Sequence, residues 1–134
     1  MRVLVTGSRQ VTHQATVYDE LNEVWQKWED ERVAEPPEPF TIIHGSAPGA
    51  DTLANQWAWD MRQEGVVVEV HPANWAKGSY AGHQRNHEMV NLGADLVIAF
   101  FQTGATNAGT RNCYDVAKRL VGIKVGEIKE VWAR

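Results

Sequence analysis

Two kinds of segment alternate along the chain. Apolar, largely β-branched runs occupy residues 3–5, 40–43, 66–70, 96–101 and, less sharply, 123–125. Runs that are apolar at consecutive positions suit strands covered on both faces, as in a parallel sheet. Between them the period changes. Val17, Leu21, Val24 and Trp28 recur at helical spacing, with Asp19, Glu20, Glu23 and Lys27 on the other faces. Leu53, Ala54, Trp57, Ala58 and Met61 mark a second helix stopped at Gly65. Val116, Ala117, Leu120 and Val121 mark another, stopped at Gly122, and the polar stretch from about residue 80 to residue 92 reads as a helix ended by Gly93.

The resulting order, β-α-β-α-β-α-β-α-β, predicts an α/β fold: one Rossmann-like, doubly wound domain spanning residues 1–134. It has about five parallel strands, the first of them central, and helices on both faces. Residues 34–39 read as a stiff proline-rich loop, and residues 126–134 are open between a strand extension and a short helix. A chain of 134 residues buries enough surface to need no disulfide or metal staple. The one cysteine, Cys113, fits a reducing compartment and reads as packed rather than reactive. No secretory-signal pattern or membrane-length apolar run occurs, so a cytoplasmic setting without membrane contact is expected. The net charge of −4 disfavours non-specific nucleic-acid binding.

Candidate chemistry concentrates where three predicted strands end. Thr6-Gly7-Ser8-Arg9 follows the first, and His44-Gly45-Ser46-Ala47-Pro48-Gly49-Ala50-Asp51 follows the second. After the fourth come Gly104, Gly109 and Thr110 within a polar loop. In open α/β sheets ligands bind beyond the carboxyl ends of the strands, where glycine lets backbone N–H groups approach a phosphate. Each loop alone is explained by a tight turn, but three on one sheet edge argue for a site. Neither a dinucleotide fingerprint nor a P-loop is present. Asp51 suits a ligand hydroxyl, a helix cap or a first-turn carboxylate facing the helix dipole. Arg85, beside Asn86, suits a phosphate or a solvated helix face. His83 and His87 have metal spacing but no third ligand, and no metal or cofactor is expected. No serine sits in a nucleophile elbow, and no residue is assigned a catalytic role.

The chain resembles the SLOG superfamily, and within it the small YspA/YpsA-related branch. The resemblance rests on residues 3–9 (VLVTGSR), residues 44–51 (HGSAPGAD), residues 81–89 (AGHQRNHEM) and the Gly109-Thr110 pair. It implies a nucleotide or nucleotide-derived ligand near Gly7, Ser8, Arg9, Gly45, Ser46, Gly49, Ala50, Asp51, Arg85, Asn86, Gly104, Gly109 and Thr110. In the related Lonely Guy phosphoribohydrolases a glutamate follows the Gly-Thr pair and assists N-glycosidic cleavage. Cys113 stands at that place here and cannot supply a carboxylate, and Asp115 lies on the wrong side of the helix turn. A sensor, carrier or sequestering module is therefore expected before a hydrolase of nucleoside monophosphates. Single-stranded DNA binding, by likeness to DprA, ranks after both, since the acidic balance counts against the charged groove that such binding uses. Trp25, Trp28, Trp57 and Trp59 exceed what one helix-packed core of this size hides, which predicts a homodimer or larger assembly.

Overall fold

The computed structural model describes residues 1–33 and 38–134. Its strands are β1 (Arg2–Gly7), β2 (Phe40–His44), β3 (Val66–Val70), β4 (Ala94–Gln102) and β5 (Val125–Ala133). Its helices are α1 (Gln14–Glu31), α2 (Ala50–Asp60), α3 (Ala81–Asn91) and α4 (Ala108–Arg119). The strands form one sheet in the order β3-β2-β1-β4-β5, and every pairing is parallel. This is a single Rossmann-like α/β domain with β1 at its centre.

The apolar runs explain the two-sided sheet. Val3 and Val5 of β1, with Ile42, Ile98 and Phe100, pack against Val17 and Leu21 of α1 and Ala54 and Trp57 of α2. The alternate residues Leu4, Ile43 and Val97 pack against Met89 and Val90 of α3 and Cys113, Val116 and Ala117 of α4. Successive side chains of a strand point to opposite faces, so a strand buried on both must be apolar throughout. No helix among the described residues is long and apolar enough to cross a membrane.

Two expectations are changed, and a third falls outside the described residues. The last strand is not residues 123–125. It begins at Val125 and runs to Ala133, with Ala94 opposite Val125 and Gln102 opposite Ala133. Ile123 lies outside it, exposed in the preceding turn. As an edge strand, β5 leaves Glu127, Lys129 and Glu130 exposed, so the criterion of continuous apolarity passes over it. The tryptophan surplus shrinks too. Trp57 is 1% exposed and edge-on to Phe40, and its Nε1 donates to Asn22 Oδ1 at 2.8 Å. Trp25 and Trp28 pack against the same core, which leaves only Trp59 of the four at the surface, 63% exposed. Finally, residues 34–37 of the expected proline-rich loop lie outside the described residues.

Candidate functional site

Because β1 is central and the chain leaves it in opposite directions toward β2 and β4, the loops after β1, β2 and β4 diverge above the sheet edge. They enclose an open cleft of about 960 Å³. The cleft is closed on the α3 side by the connection after β3, which contributes Pro72, Ala73, Trp75 and Ser79.

The first two loops are locked together by close backbone approach. Gly7 lacks a Cβ because one there would collide with the Ala50 Cβ at the start of α2. Gly49 has φ +84°, and a Cβ there would strike the Ser8 carbonyl and lie 2.8 Å from the Arg9 Cα. The Ser8 carbonyl accepts from Val11 N at 3.2 Å and Ala50 N at 3.4 Å, while its Oγ accepts from Gln10 N at 3.1 Å. Gly49 and Ala50, expected at a ligand, therefore stand behind the cleft and do not line it. Their smallness serves loop-to-loop packing.

The loop after β2 folds around a carboxylate. Ser46 takes the left-handed conformation, φ 62°, which turns the N–H groups of Gly45 and Ala47 onto Asp51 Oδ2 at 3.0 and 3.2 Å. Ser46 N–H donates to His44 Nδ1 at 2.9 Å. That bond leaves the imidazole proton on Nε2, which donates to Asn55 Oδ1 at 2.9 Å. Asp51 is 4% exposed, and its buried Oδ1 has no hydrogen-bond partner among the described residues. Burial pushes its carboxyl above the ordinary carboxylate range, against the two backbone N–H groups. Of the N–H groups expected to cradle a phosphate around residues 45–49, those of Gly45, Ser46 and Ala47 are thus already spent on the protein itself.

Arg85 reaches this loop from α3. Its Nη1 donates to the carbonyls of Gly45 and, at 3.1 Å, His71, and its Nε donates to Asn86 Oδ1 at 2.9 Å. A Cβ at Gly45 would displace the guanidinium from this position. Nη2 makes no hydrogen bond to the described residues, so Arg85 organises the loop and keeps one edge of its fork uncommitted. Asn86, 4% exposed, bridges α3 to α4 through Nδ2, which donates to Asn112 Oδ1 at 3.0 Å and Gly109 O at 3.4 Å.

The loop after β4 keeps its donors. Asn107, left-handed at φ 54°, closes it by accepting from Gln102 N at 2.9 Å and donating to the Gln102 and Ala105 carbonyls, both at 3.0 Å. Its own carbonyl takes Arg111 N–H at 2.8 Å. The N–H groups of Ala108, Gly109 and Thr110 find no acceptor among the described residues. They are the orphan donors of a helix start, and α4 carries no acidic residue in its first turn to occupy them.

Of the thirteen residues expected at a ligand, the cleft brings together Gly7, Ser8, Arg9, Gly45, Ser46, Asp51, Arg85, Asn86, Gly104, Gly109 and Thr110. The wall carrying Trp75 went unnoticed, although a loop after a strand's carboxyl end was itself a signal. His83 lines the cleft and His87 does not. Cys113 is fully buried beneath it, and burial pushes its thiol up to about 12. Asp115 is exposed.

The fold and cleft define a small α/β protein whose polar site lies over the carboxyl edge of a doubly wound sheet. The chain belongs to the YspA, cpYpsA-related SLOG family, whose profile matches residues 1–78. It is also similar to the Gene 61 protein of Mycobacterium phage D29, with 42% identity over 127 residues, covering 92% of this chain and 93% of the phage protein. No solved structure matches it.

Proposed function

We propose that the protein binds a nucleotide or nucleotide-derived phosphate compound as a sensor, carrier or sequestering module, with the phosphate over the N-terminus of α4. The observation that carries this is the row of three N–H groups without an acceptor among the described residues, at Ala108, Gly109 and Thr110, which line the cleft. The charged side chains lining the cleft support it: Arg9 and Arg85 stand against one carboxyl, Asp51, in a chain whose net charge is −4. A local excess of positive charge on an acidic protein favours a small anion over a long phosphate backbone. Membership of a SLOG family agrees with a nucleotide-related ligand.

Binding without hydrolysis is the favoured form. Cys113, its thiol buried and pushed up to about 12, offers no charge to a developing oxocarbenium ion. The carboxyl of Asp51 is held by the loop it organises.

Calorimetric titration with nucleoside monophosphates and inorganic phosphate tests the reading, with chromatography for released base. Binding without base release is expected. Gly109→Pro deletes one donor in a first turn that tolerates proline, and a Cβ at that position meets open space. It should weaken monophosphate binding by about tenfold, the loss of one hydrogen bond to a charged group. Unchanged affinity in that variant would remove the phosphate from α4.

A further inference from the structure

Trp75 stands apart from the other tryptophans at the cleft. Its short 3₁₀ turn, Trp75–Lys77, is pinned at both ends: Asn74 Oδ1 accepts from Ala76 N at 3.2 Å, and Gly78 N donates to the Trp75 carbonyl at 3.1 Å. Gly78, at φ +111°, then turns the chain, and its carbonyl takes the Ala81 N–H at 3.2 Å, fastening the turn to α3. The indole rests on the first turn of that helix at Gly82, where a Cβ would come within 2.9 Å of its Cη2 atom. Glycine at this helical position is unfavourable by about 1 kcal/mol relative to alanine, and here it makes room for the ring. Yet Trp75 remains 57% exposed and lines the cleft. Among the described residues its ring stacks on no other aromatic ring and carries no cation. A large indole held in one place at the cleft wall, its surface only half covered, has the attributes of a platform for a flat ring.

We infer that Trp75 is a stacking platform for a heteroaromatic base, so that the ligand of this cleft is a nucleotide carrying its base rather than a bare sugar phosphate. The inference rests on the phosphate-binding reading above and adds the group that the other end of the ligand must present. Trp75 and α4 bound the same cleft, and Asn86 ties α3, on which the indole rests, to α4. Stacking on one exposed face is tolerant of base identity, because every base offers a π face. Selectivity among bases therefore falls to the polar rim, and the step selected at Trp75 is base against no base.

The test is calorimetry with AMP, UMP and ribose 5-phosphate on the parent protein, Trp75→Ala and Trp75→Phe. The parent should bind both nucleotides tighter than ribose 5-phosphate by roughly tenfold or more. Trp75→Ala should bring all three compounds to the affinity of ribose 5-phosphate, and Trp75→Phe should keep most of the preference. Equal affinity of the parent for AMP and ribose 5-phosphate, or a preference surviving in Trp75→Ala, would overturn the stacking role while leaving the phosphate reading intact. If none of the three compounds binds the parent, the phosphate reading fails and the platform with it.

Discussion

Replacing Gly49 by alanine measures how firmly the first two loops are locked. Gly49 holds φ +84° and ψ −124°, a conformation that side-chain-bearing residues reach only at about 1–3 kcal/mol. The added Cβ would also meet the Ser8 carbonyl and sit 2.8 Å from two backbone atoms of Arg9. Backbone atoms cannot rotate away as a side chain can, so an overpacking penalty of about 1–3 kcal/mol is added. The sum, roughly 2–6 kcal/mol, is a large share of the ~5–15 kcal/mol that holds a domain together. With a urea slope of about 2 kcal/mol/M, the unfolding midpoint should fall by roughly 1–3 M. Gly104→Ala supplies the control, since Gly104 also has positive φ, +85°, but a Cβ there meets nothing within 4 Å. It should lose only the conformational part. Equal midpoints for the two variants would refute the loop-locking account of Gly49.

Two further outcomes follow from the buried groups. Because burial raises the Asp51 carboxyl above its ordinary 3.8, the folded state holds that proton more tightly than the unfolded chain. The group therefore favours folding at low pH and loses that effect as pH rises through the raised value. Asp51→Asn lacks this titration, so urea unfolding should show the variant gaining on the parent as pH rises above the ordinary carboxylate value of 3.8. A difference that does not change with pH would contradict the assignment. The Cys113 thiol, fully buried and raised to about 12, should resist a thiol reagent such as DTNB in the native protein and react promptly in urea. Fast native labelling would place it at the surface.

Much of the fold is written in local pattern. The runs that became β1, β2 and β4 are apolar at nearly every position because helices cover both faces, and the parallel pairing follows from the alternation with crossover helices. β5 was placed only at its start, with its extension into residues 126–134 left open, because an edge strand carries charges that break the apolar run. At the site, the topology was legible but the allocation of hydrogen bonds was not. That Gly45, Ser46 and Ala47 turn their N–H groups toward Asp51 and His44 depends on the left-handed turn at Ser46, a residue whose type does not announce it. Gly49 looked like a phosphate contact because a glycine that admits a ligand and a glycine that admits a neighbouring backbone are the same letter.

The order of the strands also bears on how the chain assembles. β2 finds its neighbours β1 and β3 early along the chain, whereas Val3 of β1 must wait for Leu96 of β4. Closing so long a stretch is the slow kind of contact formation, because loop entropy is lost before the pairing rewards it. The seam between β1 and β4 is thus expected to be the late event of folding, and the cleft straddles it, with walls from both halves. A molecule gripping residues on either side acts as a clasp across the last joint to close and the first to part. Its concentration in the cell would then set the lifetime of the folded chain as well as the occupancy of the site.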